Sequence, residues 1–504
     1  AAGLFLGLLF DRLLAGRPLG VSFPLFIVLV LAALSLTLRW EGLRPLRGNL
    51  WLFAALLFFA VMVAVRANAF VTLLNIVAVL LLLGLAADFL VREALAGVSL
   101  VRYALSPLIA PALAAVRGAQ VARLAFVRSI GAWRGAQPGA RRGRWAPVLR
   151  GLLLALPVVI VFALLLSSAD LMFAEVLRRL LTQDIVAFLR DIVRHGAIIL
   201  AAGFVLLGGL AYTAWRDEHA AGREGAWTPA AIEPLLGLTE SGLVLNAVNV
   251  LFAAFVAIQV PYLFGGQLNI DLGRVTYAEY ARRGFGELVL VSVLVLGLLL
   301  LLGALTRRDA GRQARIFNLS STVTVGLTVV MLVSAFKRLL LYEMAYGFTE
   351  MRIYPHAFMV WLALLLGWFL VTLWAAPGRF GIGVVAACIG FVATLNLMNV
   401  DDFIVRRNVQ RYEQLGRSAF IARESGVYDP GIDAAYLTTL SADAIPALVQ
   451  SVDRLTGAPQ EELAGYLRAR LPELHDDVAR RGWPGFHLAQ WRAYNALEGF
   501  GSVR

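Results

Sequence analysis

Apolar residues in this chain fall in long blocks, and no alternating strand pattern stands out. Blocks at 21–38, 49–65, 70–91, 151–168, 197–214, 236–264, 288–305, 357–374 and 381–398 contain few polar side chains. About 20 such residues in helical form cross the ~30 Å hydrocarbon layer of a bilayer. With the shorter segment 3–14 and the apolar start of 317–356, the pattern predicts an all-α polytopic helical membrane protein of about eleven spans. Segment 94–116 is apolar but carries Arg102, Pro107 and Pro111 near its middle. It is read as interfacial or re-entrant, not as a crossing.

The stretch 317–356 is the one around which the rest is arranged. It starts as an ordinary span and continues through Lys337, Arg338, Tyr342, Glu343, Tyr346, Glu350, Arg352 and Tyr354 to Pro355. Read as one helix, it is closed by Pro355, which lacks an N–H and disfavours helical geometry at the residue before it. Lys337 is the only lysine in the chain. From Asp401 the composition turns amphipathic. The chain therefore divides into a transmembrane helical domain, 1–400, and a small helical extramembrane tail, 401–504. Breaks in the tail are predicted at Gly416, at Asp429 to Gly431, at Gly457 to Pro459 and at Gly482 to Gly485. Leu437, Leu440, Ile445, Leu448, Val449 and Val452 make one apolar face, and Leu463, Tyr466, Leu467, Leu471 and Leu474 another, as in antiparallel helices.

Composition supports the membrane reading. Of 504 residues, 60% are hydrophobic and 15% charged, where a soluble protein is about a quarter charged. A net charge of +12 would suggest nucleic acid in a soluble protein. Here the arginines sit between blocks, so they read as orientation signals, and no nucleic-acid partner is expected. The loop 117–150 contains Arg123, Arg128, Arg134, Arg141, Arg142 and Arg144 and no acid. It belongs in the cytoplasm, where it can hold anionic lipid at about 1 kcal/mol per arginine. The same rule places the N-terminus inside and the C-terminus outside. Asp11 and Arg12 interrupt the first apolar segment, which is not read as a cleaved leader. The lone Cys388 excludes an intrachain disulfide.

Three motifs carry polar chemistry at the predicted outer face. The first, YAEYARRGFGEL, holds Tyr277, Tyr280, Arg282, Arg283 and Glu287. The second is the end of the organising stretch, with Lys337, Arg338, Tyr342, Glu343, Tyr346, Glu350 and Arg352. On one helix Glu343, Tyr346 and Glu350 would share a face. The third, NLMNVDDFIVRRNVQRY, holds Asn396, Asn399, Asp401 and Asp402, with Asn396, Asn399 and Asp402 aligned. These sixteen residues form a candidate ligand-binding set, because ionisable groups at membrane depth are usually paired or functional. The plainer reading stands beside it: Tyr and Arg at a membrane boundary are belt and snorkelling residues. Asp401-Asp402 also suits the start of a helix. Lys337 or Arg338 is expected to meet Glu287, Asp401 or Asp402, since a buried ammonium needs a counter-charge. No HExxH, cysteine pair, phosphate loop or nucleophile elbow is present, so no metal, cofactor or catalytic residue is assigned.

These motifs, with YGFTEMRIYPH and GIDAAYLTTLSADAIPAL, resemble an uncharacterised bacterial membrane family, domain of unknown function 4173, related to 4153. The family usually has Pro after the Asn of the third motif, where this chain has Val400. The resemblance implies a bacterial inner-membrane protein and implies no activity. The leading expectation is a non-enzymatic envelope protein that binds a small molecule or lipid in an outer-face polar cavity for transport or sensing. The alternatives are a membrane transferase for a lipid-linked substrate, with Glu343 or Glu350 as base, and a scaffold for a partner membrane protein.

Overall fold

The structure, a computed structural model, describes residues 2–92, 94, 95, 98, 100–134, 183–214, 235–264, 285–307, 311–422 and 431–503. It is all-α, and no strand occurs among the described residues beyond an isolated bridge between Leu236 and Thr306. In chain order the helices are α1 (Ala2–Leu13), α2 (Ser22–Trp40), α3 (Trp51–Val65), α4 (Ala69–Phe89), α5 (Leu100–Arg134), α6 (Gln183–Ala214), α7 (Leu238–Phe264) and α8 (Phe285–Leu305). There follow α9 (Arg312–Tyr346), α10 (Glu350–Ala375), α11 (Phe380–Met398), α12 (Val400–Ala422), α13 (Ala434–Thr438), α14 (Ile445–Ser451), α15 (Ala458–Arg481) and α16 (Leu488–Val503). Ten helices among the described residues, α2 to α11, are long and apolar enough to cross a membrane. Nine of them, all but α5, are expected crossings; of the other two expected crossings, 3–14 is the 12-residue α1 and 151–168 lies outside the described residues.

Four boundaries differ from the sequence reading. The segment around Arg102 is no re-entrant loop; it belongs to the continuous α5, whose Leu100–Leu124 has the length and hydropathy of a span. Its Pro107 is accommodated by Gly84, where an added Cβ would lie 2.6 Å from the Pro107 Cα. The span expected over 197–214 starts earlier, within the single helix α6, because Gly196 costs about 1 kcal/mol and does not by itself end a helix. Gly416 likewise lies within α12. The organising stretch is two helices: α9 ends at Tyr346, Gly347 adopts φ +81°, and Pro355 sits inside α10.

The chain forms two compact units, one of residues 1–15 and 111–212 and the other of residues 16–110 and 213–504. Within the first, backbones approach closely at small residues. A Cβ on Gly7 would lie 2.2 Å from the Ile199 carbonyl oxygen, and one on Gly208 would lie 2.0 Å from that of Ala114. This is the packing that membrane helices use in place of a hydrophobic driving force. Asp11, buried on α1, meets His195 at 2.6 Å.

Within the second unit, α9 packs against α7, α8 and α10. Leu245, Val295, Leu299, Leu332, Leu339 and Leu366 form the core there. Asn249 joins α7 to α9, donating to the Ser320 carbonyl and accepting from Thr324. The α10–α11 pair is notched: Trp361 fills the space over Gly390, and Trp368 that over Gly383. The tail helices build a second core from Leu437, Leu448, Leu463, Leu467 and Leu474, which continues into Val71, Ile353 and Leu395 of the spans. Apolar packing therefore seats the tail on the ends of α4, α10 and α11.

Candidate functional site

Three interruptions of helix meet under the tail. The first is the turn Arg66-Ala67-Asn68 between α3 and α4. Asn68 caps α4, its Oδ1 accepting from the Val71 N–H at 3.1 Å. The second is the break after α9. Gly347 supplies the left-handed step, and a Cβ there would lie 2.6 Å from Asn408 Oδ1. Asn408 clamps Phe348, accepting from its N–H and donating to its carbonyl, each at 2.8 Å. The third is Asn399, at φ 51°, a conformation Asn tolerates, after which α12 starts at Val400. Position 400 is thus a first helical position, which Pro and Val can both occupy.

These interruptions aim two carboxylates at one amide. Asn68 Nδ2 donates to Glu350 Oε1 at 2.5 Å and to Asp401 Oδ1 at 3.0 Å. The Tyr354 hydroxyl donates to Asn68 Oδ1 at 3.3 Å. Ser441 of the tail donates to Asp401 Oδ2 from its N–H at 3.1 Å and its hydroxyl at 2.5 Å. The Glu350 N–H donates to the Tyr436 hydroxyl at 2.9 Å. Burial, with the charges of Glu350 and Asp401 nearby, pushes the Tyr436 phenol up to about 12, so it stays a neutral hydroxyl. Asp401 is fully buried and Glu350 half-buried. Among the described residues neither carboxylate forms an ion pair.

The same turn is gripped from the tail at both helix ends. Asp443 accepts from the N–H groups of Ala67 at 2.6 Å and Asn68 at 3.3 Å, and pairs with Arg66 at 3.4 Å. An acid at the start of α4 suits the positive end of the helix dipole. Burial raises the Asp443 carboxyl, and the Ala67 N–H and the Arg66 charge oppose that rise. Arg66 also donates to the Asn396 carbonyl at 2.7 Å, and Asn396 exchanges amide bonds with Asn75 at 2.7 and 2.9 Å. His487, 8% exposed, meets the backbone of Val63 and Arg66 at the end of α3. Burial first, then the Arg481 charge, pushes its imidazole down to about 4.

This shift has a testable consequence. The folded value lies below the ordinary 6.5, so the stability linked to neutral His487 is complete above about pH 6.5 and is lost as pH falls toward about 4, to a total of about 3 kcal/mol. Asp443 acts in the opposite sense. Its raised value makes its contribution complete at low pH and lost as pH rises. The difference in melting temperature between wild type and His487→Gln, followed from pH 7 to pH 4.5, isolates the histidine. The wild type is expected to lose more than the variant; parallel curves would rule out the buried neutral imidazole.

The sequence-predicted set divides accordingly. Tyr277, Tyr280, Arg282 and Arg283 lie outside the described residues. Glu350, Asp401 and Asn396 come together at the turn. Glu343 does not share a face with Glu350, because the break at Gly347 separates them. Glu343 is 1% exposed and pairs with His356 at 2.9 Å. Asn396, Asn399 and Asp402 are not aligned, because Asn399 turns the chain; Asp402 faces outward and pairs with Arg406 at 2.7 Å. Arg338 donates to Gln259 at 2.8 Å. Asp401 is held by Asn68 and Ser441, not by Lys337 or Arg338. Lys337 and Glu287 are exposed. Tyr342 packs against Tyr346 with the rings tilted at 59°, and the Arg352 guanidinium lies over the Tyr342 ring at 4.3 Å. Sequence reasoning passed over Arg66, Asn68, Tyr436, Ser441, Asp443 and His487. The one available signal was Arg-Ala-Asn between two apolar helices, where Asn is a ready cap.

The fold and this junction define a polytopic all-α membrane protein in which the C-terminal helices close over two converging carboxylates, one buried and one half-buried. The chain belongs to the family described as domain of unknown function (DUF4153), whose family model matches residues 53–451. The match is at the level of this family of unknown function. It spans Asn68, Glu350, Asp401, Ser441 and Asp443, and ends before His487. No curated protein and no solved structure matches the chain.

Proposed function

We propose that this protein is a bacterial inner-membrane envelope protein that binds a small molecule or lipid at the junction of Asn68, Glu350 and Asp401, for transport or sensing. The arginines at 39–47 and 307–315 favour an outer-face position for the junction and the C-terminus. One observation carries the reading: two carboxylates converge on a single neutral amide, and their other partners are hydroxyl and backbone groups. Two like charges in a buried place require a compensating positive charge, either a proton or a cationic group of a ligand. Half-buried Glu350 is the member such a group reaches first. The transferase alternative retains Glu350 as its base and loses Glu343, which is buried against His356. Native mass spectrometry of the protein purified in mild detergent tests the reading. The wild type is expected to retain a bound molecule that Glu350→Gln and Asp401→Asn release. A wild type without adduct, or variants that keep it, would contradict it. A lipid-linked molecule converted during incubation would favour the transferase, and a retained polypeptide the scaffold.

A further inference from the structure

A second surface stands apart from the carboxylate junction. The turn between α15 and α16 lies against the start of α2: the Val21 N–H donates to the Phe486 carbonyl and the Ser22 N–H to the Pro484 carbonyl, each at 3.0 Å. The approach is backbone to backbone, and a Cβ on Gly20 would lie 2.5 Å from the Gly485 carbonyl carbon. These bonds set the height of the turn relative to the membrane. Helix α2 has 19 residues, or about 28 Å at 1.5 Å per residue, against a hydrocarbon layer of ~30 Å. It has no length to spare, so both its ends lie at the head groups. Trp40, 75% exposed, marks the far end.

At the near end the tail presents bare aromatic rings. Trp483 is 66% exposed, Phe486 40% and Trp491 44%. Arg480 and Arg492 flank them and are exposed. In water such a cluster is an unexplained apolar patch. At head-group depth it is the composition that interfaces select: amphipathic indoles between hydrocarbon and water, with guanidinium groups beside lipid phosphates.

We propose that the turn carrying Trp483 and Phe486, with Trp491 of α16, is a membrane-interface anchor that inserts into the lipid head groups beside α2 and holds the tail down on the bilayer. The tail then has two attachments, the Asp443 and His487 grip on the α3–α4 turn and the aromatic anchor on lipid. This is independent of whether the carboxylate junction binds a ligand.

Depth-dependent quenching tests it. In a Cys388→Ser background, Trp483→Cys and Trp491→Cys are labelled with a fluorescent thiol probe in nanodiscs of phosphatidylcholine and phosphatidylglycerol. Leu80→Cys, on the exposed face of α4, is the hydrocarbon reference. At both tail positions a nitroxide on the lipid head group is expected to quench at least about twofold more than a mid-chain nitroxide or aqueous iodide, with the order reversed at Leu80. Iodide quenching without lipid quenching would show that the patch faces water. Protection from both would show that a protein covers it. Either result overturns the proposal. Unchanged melting of each variant confirms that the tail is still seated.

Discussion

Asp443→Ala should release the tail from the spans, at a cost of about 3–5 kcal/mol. The side chain is 4% exposed and accepts two backbone N–H groups while balancing Arg66. Truncation leaves the two N–H groups without that acceptor and Arg66, still bonded to the Asn396 carbonyl, without its counter-charge in a partly buried place, and the penalty is the desolvation of what remains. Asp443→Asn keeps an acceptor for Ala67 and loses the charge, so it should fall between wild type and Ala. The measurement is limited trypsin digestion in detergent with a thermal melt alongside. Cleavage at tail arginines such as Arg454 and Arg470 should speed up while the spans stay intact. If Asp443→Ala melts within about 1 kcal/mol of wild type, the apolar core around Leu448 and Leu467 holds the tail without the polar latch.

Gly390→Leu should be at least as damaging within the spans, at about 3 kcal/mol or more. A Cβ at Gly390 would lie 2.0 Å from the Trp361 ring, and the ring cannot swing clear without breaking the bond from its N–H to Thr394 Oγ1 at 3.0 Å. The arrangement repeats one heptad away, where Trp368 lies 1.9 Å from the Cβ position of Gly383 and donates to the Arg379 carbonyl. Gly367 on α10 has nothing within 4 Å of its Cβ position, so Gly367→Leu is the matched control and should be tolerated. Adding Trp361→Ala to Gly390→Leu should recover part of the loss, because the two residues share one space. An additive double mutant would show that the notch is not what sets the helix spacing.

The carboxylate junction shows why a site of this kind is only half legible along a chain. Glu350, Asp401 and Asn396 stood out because polar groups next to apolar blocks are conspicuous. Their grouping differs from the helical spacing because neither Glu343 to Glu350 nor Asn396 to Asp402 is a continuous helix. Gly347 and Asn399 turn the backbone there, so Glu350 and Asp401 aim at a shared neighbour while Glu343 and Asp402 aim elsewhere. Asn68 resembled an ordinary turn residue. Ser441 resembled an ordinary cap residue, and its hydroxyl does accept from the Asp443 N–H. What Ser441 and Asp443 add is donation to Asp401, 40 positions away, and acceptance from Ala67, 376 positions away, for which local spacing carries no signal.

The amino-acid sequence by itself determined the class of protein. A block of about 20 apolar residues has one low-energy state in a bilayer, a helix that satisfies its own backbone, so the uninterrupted spans are decided locally, whereas the one carrying Arg102, Pro107 and Pro111 was not. The amphipathic faces of the tail followed from the same short-range periodicity. Only the tertiary structure decided which polar groups meet. That choice depends on where two helices break, on a three-residue turn between α3 and α4, and on the tail folding back over both, because a buried hydrogen bond is set by position in space and not by distance along the chain.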